Sequence, residues 1–324
     1  MTKVKRFLSA ILAAALLVTA FAGCSSKSAD GKKLKIVATV FPQYDWIKNI
    51  TSGVDGIELI MLAGNGADMH SYQPTADDIV TIASCDMFVY VGGESDKWAD
   101  DVLRQSLNGD MTVVSLLEEL GDSVKNEELA EGMQAEDDGE AEDEAPEADE
   151  HVWLSLRNAE VLTGRISELL QEKDAANAEA YRKNTDEYVK RLEKLDADYK
   201  AVCDSSKHKT LLFGDRFPFR YMTDDYGLKY YAAFAGCSSE TEASFETVSF
   251  LAGKLKELEL PCVMTIENSD NKLAQTIIDT AGVSEVGIVA LDSLQSVTSS
   301  DAQNGADYLK TMEENLTALK TALG

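Results

Sequence analysis

Short, continuously apolar segments alternate with amphipathic segments twice along this chain, once in each half. In the first half the apolar segments span residues 34–40, 57–62, 87–91 and 112–116. In the second half they span residues 210–213, 230–234, 262–266 and 286–291. Strands that are apolar on both faces are typical of parallel sheets covered by helices on both sides. The pattern therefore predicts two α/β lobes, each built on a parallel sheet.

A different pattern between the two halves predicts a long helix. Apolar side chains recur there at spacings of three, four and seven residues, which places them on one helix face; they are Tyr181, Tyr188, Leu192, Leu195, Tyr199 and Val202. Asp174 offers a break and a new helix start. We therefore expect a first lobe at 34–173, a stiff connecting helix at 174–205 and a second lobe at 206–324.

The first 24 residues resemble a bacterial lipoprotein signal. Three basic residues precede an apolar run at 7–22, which is shorter than the ~20 residues that a spanning helix needs. The run ends in Phe-Ala-Gly-Cys, which is similar to the lipobox that precedes a lipid-bearing cysteine. The segment predicts cleavage before Cys24, a lipid anchor on Cys24 and a linker at 25–33. A plain secretory signal is the alternative.

Acidic residues dominate the charge. The chain has a formal net charge of −27, so nucleic acid is excluded as a partner because phosphate binding needs a basic face. Residues 127–150 contain 13 acids among 24 positions and no Lys or Arg. So few apolar residues cannot order a segment by burial, and we expect a disordered acidic loop at 127–150.

The chain has three histidines, of which two are candidate metal ligands. His70 and His151 lie in loops next to predicted helices, where α/β proteins place their sites. His208 lies between two lysines, which would repel a cation. Imidazole binds zinc, manganese and iron alike, so the pair predicts only a transition-metal site. Enzyme motifs such as His-Glu-x-x-His, a P-loop or Gly-x-Ser-x-Gly do not occur, and no enzyme activity is expected.

Four cysteines follow Cys24 and show no Cys-x-x-Cys spacing, so the sequence predicts no structural zinc site. Their disulfide pairing cannot be read from the sequence. Cys85 and Cys262 lie at or beside apolar strand-like runs and are interpreted as small core residues.

The segments around the two histidines resemble signatures of one family, the metal-binding lipoproteins of zinc and manganese ABC importers. Residues 70–74, His-Ser-Tyr-Gln-Pro, resemble the family's His-x-Tyr-x-Pro segment. Residues 150–155, Glu-His-Val-Trp-Leu-Ser, resemble its second signature. Residues 37–42 and 239–244 resemble its first strand and its Glu-Pro-Ser turn, with Ala in place of Pro. The similarity covers residues 34–324.

The resemblance implies a four-ligand metal site between two lobes joined by a rigid helix. The first two ligands correspond to His70 and His151. The third, a histidine or glutamate in the family, corresponds to Asp215, and the fourth to Asp292, with Glu267 as an alternative. Two nitrogens with two carboxylates leave zinc and manganese both open, because oxygen ligands favour manganese while intrinsic affinity favours zinc. We expect zinc, because the acidic loop occupies the place of the histidine-rich loop in the family's zinc proteins.

The function implied by the resemblance is that of an extracytoplasmic, lipid-anchored substrate-binding protein on the cell membrane. It would capture zinc (or manganese) and deliver it to the permease and ATPase of an ABC importer, acting as a monomer. A surface adhesin or a metal sensor on the same fold is the alternative function.

Overall fold

Two parallel four-stranded sheets carry the structure, a computed structural model that describes residues 33–62, 69–106, 108–134, 147–238 and 242–324. The first sheet has the order β2-β1-β3-β4 and the second the order β6-β5-β7-β8. The strands are β1 (Leu34–Ala38), β2 (Ile57–Met61), β3 (Met87–Tyr90), β4 (Thr112–Ser115), β5 (Thr210–Phe217), β6 (Lys229–Ala235), β7 (Cys262–Ile266) and β8 (Gly287–Leu291). The predicted pair of α/β lobes with parallel sheets is confirmed. Cys24 and the predicted signal segment lie outside the described residues.

Helices cover both sheets and join the lobes. Those of the first lobe are α1 (Phe41–Ile50), α2 (Ala76–Ala83), α3 (Lys97–Gln105) and α4 (Leu116–Leu120). Those between the lobes are α5 (Leu156–Lys173) and α6 (Ala178–Ser205). Those of the second lobe are α7 (Arg220–Tyr226), α8 (Phe245–Glu257), α9 (Lys272–Ala281), α10 (Ser299–Gln303) and α11 (Tyr308–Leu323). No helix in the described part of the chain has the length and apolar character needed to cross a membrane.

The two lobes share one apolar core. It extends from Ile36 in β1 across Tyr188 and Leu192 of α6 to Phe213 in β5 and Leu316 in α11. Separate, smaller cores cover the other face of each sheet. Fully burying one large apolar side chain contributes roughly 1.5–3 kcal/mol, so a continuous core makes separation of the lobes costly.

Asp174 ends one helix and does not begin the next. Its backbone N–H donates to Leu170 O at 2.9 Å, closing the last turn of α5. Its Oδ2 accepts from Asn177 Nδ2 and from Tyr181 OH, each at 2.7 Å. The expected helix at 174–205 therefore starts later, at Ala178, because the carboxylate organises the turn between the two helices.

Polar contacts across the lobes supplement the shared core. Trp153 Nε1, from the first-lobe histidine segment, donates to Ser293 O at 2.9 Å. Tyr308 at the start of α11 donates its OH to Trp153 O at 2.6 Å and its backbone N–H to Asp45 Oδ2 at 3.2 Å. All of these side chains are buried. These hydrogen bonds therefore also connect the two lobes directly, beside the candidate site.

The ends of the acidic segment are packed, which differs from the loop expected over all of 127–150. Glu127 N donates to Glu147 O at 2.7 Å and closes the base of the segment. Gln134 N donates to Ala233 O of the edge strand β6 at 3.0 Å, and Met133 packs against the shared core. Backbone hydrogen bonds and one apolar contact order these ends. The charge composition of the segment does not predict such contacts. Residues 135–146 lie outside the described residues.

Candidate metal centre between the lobes

His151 is buried and oriented by a neighbouring carboxylate. Its ring is 0% exposed and lies just before a 3-10 turn at Val152–Leu154. Asp149 Oδ1 lies 2.9 Å from both the backbone N and the ring Nδ1 of His151. A carboxylate oxygen accepts from a ring N–H, so this contact favours the tautomer with its proton on Nδ1 and turns Nε2 toward His70. This is the arrangement in which metal-binding histidines are held.

His70 approaches from a 3-10 turn at Met69–Ser71 and is oriented in the same way. Its Nδ1 lies 2.8 Å from Ser95 Oγ and 3.5 Å from Glu150 Oε2. Glu150 Oε1 accepts from Ser95 N at 2.8 Å, and burial raises the pKa of this carboxyl to about 7. Glu150 packs on Gly93, whose φ is +83°, and a Cβ there would lie 2.4 Å from Oε1. A glycine is needed at 93 on both counts.

The two histidines, 81 residues apart in sequence, meet through their Nε2 atoms. The Nε2 atoms of His70 and His151 are 3.2 Å apart. Two histidine nitrogens on one tetrahedral zinc, with bonds of 2.0–2.1 Å, would be separated by about 3.3 Å. The spacing of these two atoms therefore matches that of two ligands on one zinc ion.

A cavity of about 710 Å³ opens beside His70. Its other titratable lining residues come from the second lobe, and they are Asp215, Arg216, Cys237, Glu267 and Asp270. Asp215 lies in β5 and Glu267 directly follows β7, the two strands at which the order of the second sheet reverses. Open α/β sheets bind ligands at this place, outside the carboxyl ends of the strands.

Asp215 and Glu267 line this cavity but are already engaged in hydrogen bonds. Asp215 Oδ1 accepts from Arg216 N at 2.9 Å, and its Oδ2 from Ile266 N at 3.4 Å. Glu267 Oε2 accepts from Ser293 N at 2.7 Å, and its Oε1 from the hydroxyls of Ser293 and Ser296. Each carboxylate retains lone pairs for a cation, since each oxygen has two.

Asp292 follows β8 and is not among the cavity-lining residues. Its Oδ1 accepts from Leu294 N at 2.7 Å, and its backbone N–H donates to Asn315 Oδ1 at 2.8 Å. Burial, together with the charge of Glu267, raises the pKa of its carboxyl to about 6. Asp292 therefore organises the turn after β8 in this structure.

A cysteine that sequence reasoning missed completes the closest cluster. Among the described residues, one group of three His, Cys, Asp or Glu side chains has all its ligand atoms within 4.8 Å: His70, His151 and Cys237. Burial raises the pKa of the Cys237 thiol, and the charge of Glu127 adds to this. No spacing motif identified Cys237 as a ligand in the sequence. Its position just after the strand β6, where α/β proteins place their sites, was the one available indication. The structure thus brings the two predicted histidines together, with Asp215 and Asp292 outside that group.

Two parallel α/β lobes on a common helical core, with paired histidines at the cavity between them, define a two-lobe solute-binding protein. The chain belongs to the family of zinc-uptake complex component A, a periplasmic protein, whose family model matches residues 36–322. The predicted family is confirmed. Its members are transport components that act outside the cytoplasm, so the prediction that the chain is not an enzyme is also confirmed.

Three relatives illustrate the similarity. The zinc-binding lipoprotein AdcA of Streptococcus pneumoniae is 31% identical over 96% of this chain, which spans about 60% of AdcA. The high-affinity zinc uptake system protein ZnuA of Bacillus subtilis is 30% identical over 97% of this chain and 96% of its own length. The crystal structure of the Zn(II)-bound ZnuA-like domain of Streptococcus pneumoniae AdcA has a TM-score of 0.69 and 29% identity, covering 90% of this chain and 99% of that domain. Zinc is the metal named for all three, in agreement with the expected preference.

Proposed function

We propose that this protein captures Zn²⁺ outside the cytoplasm and delivers it to the permease and ATPase of an ABC importer. The observation that carries the proposal is the 3.2 Å separation of the Nε2 atoms of His70 and His151, which matches two ligands on one zinc ion. Asp149 contacts Nδ1 of one ring, and Ser95 with Glu150 contacts Nδ1 of the other, so both rings are oriented with Nε2 toward the same point before a metal arrives. The family description and the zinc-binding relatives support zinc as the cargo.

The second lobe supplies the remaining ligands in this proposal, with Asp215 third and Asp292 fourth. Asp215 is supported by its place on the wall of the same cavity as His70. Asp292 would have to release Leu294 N to coordinate with Oδ1. Glu267 is the alternative to Asp292, because it lines the cavity itself.

A lipid on Cys24 anchors the protein to the outer face of the cell membrane in this proposal, and the protein acts as a monomer. The support is the similarity of residues 21–24 to a lipobox and the name of AdcA as a lipoprotein. Cys24→Ala should leave unprocessed precursor or release the protein from the membrane fraction. Normal processing and unchanged labelling by a lipid precursor would contradict the anchor.

Metal uptake is the function that the family description and the relatives support, and adhesion or metal sensing has no better support. Its test has two parts. The purified full chain should bind zinc more tightly than manganese when each metal is titrated against a chromophoric chelator. Cells that lack the gene should lose growth at limiting zinc and regain it with added zinc but not with added manganese. Equal affinity for both metals, or growth that is independent of zinc supply, would refute zinc capture.

A further inference from the structure

The turn after β6 carries the thiol of Cys237 to the two histidines. The ligand atoms of His70, His151 and Cys237 all lie within 4.8 Å of one another. Cys237 is half-buried and lines the cavity. The other described cysteines, Cys85, Cys203 and Cys262, are 0%, 2% and 4% exposed and pack in apolar cores. One cysteine is thus set apart from the others by its surroundings.

The residue before Cys237 permits this approach. A Cβ added at Gly236 would lie 3.0 Å from Cε1 of His151 and 3.0 Å from the carbonyl oxygen of Phe217. Contacts this short are tighter than side chains normally make, so a larger residue at 236 would push the turn away from the imidazole. The missing side chain lets the second-lobe backbone close onto the first-lobe histidine.

The turn is also held from both sides before any metal binds. Glu127, from the packed start of the acidic segment, accepts from Cys237 N through Oε1 at 3.0 Å. Arg216 Nη1 donates to Ser238 O at 3.3 Å on the other side. Ser238 itself is 3% exposed. A ligand whose backbone is fixed in this way loses little conformational entropy when it coordinates a metal.

We propose that the Cys237 thiolate is a zinc ligand together with His70 and His151. The inference rests on the proposed function, zinc capture at the histidine pair, and changes its ligand set: Cys237 takes one of the two second-lobe places given above to Asp215 and Asp292. On binding, the S–H bond breaks, the proton leaves to solvent, and a Zn–S bond forms. Two nitrogens and one sulfur leave a single tetrahedral position, which one cavity carboxylate, Asp215 or Glu267, can fill.

The thiolate also determines which metal is preferred. Zinc accepts sulfur readily, whereas manganese prefers oxygen ligands. A set of two nitrogens and two carboxylates left both metals open, and exchanging one carboxylate for Cys237 removes that ambiguity. Cys237 is therefore the selectivity-determining residue of the site.

Cobalt(II) is the probe for the thiolate, because a cobalt–thiolate bond produces a charge-transfer band in the near ultraviolet. All samples are full chains that carry Cys24→Ala, so that this cysteine contributes no signal. We expect the band when Co²⁺ is added, its loss in Cys237→Ser, and its retention in the matched control Cys203→Ala. Zinc affinity of Cys237→Ser should fall by roughly tenfold or more, since even the loss of a partner that only orients a ligand costs about 10–100-fold. Manganese affinity should change little.

A second measurement needs no cysteine variant at the site. Bound zinc should protect Cys237 from alkylation in the otherwise unsubstituted protein, as measured by peptide mass spectrometry. A band that persists in Cys237→Ser, or alkylation of Cys237 that zinc does not slow, overturns the inference. If His70→Ala still abolishes zinc binding in that case, the proposed function stands without the thiolate. If the unsubstituted chain binds no zinc, both proposals fail together.

Discussion

The two lobes repeat one strand order but contribute differently to the candidate site. In the first lobe, His70 and His151 each have Nδ1 held by an oxygen and Nε2 directed to one point. In the second lobe, the predicted carboxylates already accept backbone N–H groups, Asp215 within β5 and Asp292 in the turn after β8. The first lobe therefore presents ligands that are ready to bind, while the second presents ligands with competing structural roles.

The difference follows from the chemistry of the side chains. A histidine that donates from one ring nitrogen keeps the opposite nitrogen free, so structural and metal-binding roles combine in one residue. A carboxylate after a strand is equally suited to capping the next turn, and position alone does not separate the two roles. The sulfur of Cys237 interacts with Glu127, and among the described residues it is the second-lobe ligand atom that groups with both histidines within 4.8 Å.

Replacing a histidine should give the largest loss. We expect His70→Ala and His151→Ala each to weaken zinc binding by roughly a hundredfold or more, above the 10–100-fold typical of residues that only orient a ligand. His208→Ala is the control, since its backbone N–H pairs with Leu323 O at the end of α11. The measurement is zinc competition with a chromophoric chelator. A damaging His208→Ala combined with a silent His151→Ala would place the site elsewhere.

Removing the charge that orients His151 should have the next largest effect. Asp149→Asn keeps an oxygen that can accept from Nδ1 but loses the negative charge, so zinc affinity should fall by about tenfold. Asp122→Asn, an exposed change of the same charge in the first lobe, is the matched control. Equal affinities of these two variants in the same competition assay would show that only the net charge matters.

The two predicted second-lobe carboxylates should differ from each other. We expect Asp215→Asn to weaken zinc binding severalfold, because Asp215 lines the cavity beside His70. Asp292→Asn should change zinc affinity less and thermal stability more, because its Oδ1 holds the turn after β8. Calorimetric zinc titration together with thermal unfolding separates these effects. A larger affinity loss for Asp292→Asn would instead support it as a direct ligand and require that turn to rearrange.

Deleting residues 135–146 should have the smallest effect on equilibrium binding. The deletion removes seven acids and leaves Glu127 in contact with Cys237 N. We expect less than a severalfold change in zinc affinity, but slower metal association at low ionic strength, because seven charges attract cations at a distance. The slowing should fade as the Debye length shortens to about 8 Å at physiological salt. Stopped-flow mixing at several salt concentrations measures both quantities.

A wider deletion, of residues 127–148, sharpens the same comparison. It also removes Glu127 and Gln134, which bind the turn after β6 and the edge of that strand. We expect this deletion to lower zinc affinity clearly more than removal of 135–146 alone. If both deletions behave alike, the packed ends do not position the site.

The two sheets and the histidine pair were predictable from the sequence for physical reasons. Strands buried on both faces, such as β3 and β7, need continuous apolar runs, so the runs at 87–91 and 262–266 predicted them almost to the residue. His70 and His151 were identified because they lie in loops where α/β proteins place their sites and because their segments resemble two family signatures. The connecting helix was predicted to start at Asp174, whereas it starts at Ala178, because an aspartate can either start or end a helix.

By itself the sequence determined two parallel α/β lobes, a long helical connection and a histidine pair, because apolar periodicity and loop position are local properties. Only the tertiary structure decided which residues surround those histidines. The approach of Cys237 depends on Gly236 passing His151 and on Glu127 reaching across from the first lobe. These contacts join residues about 85 to 110 positions apart in the chain, and such pairings arise only when the lobes pack on their shared core.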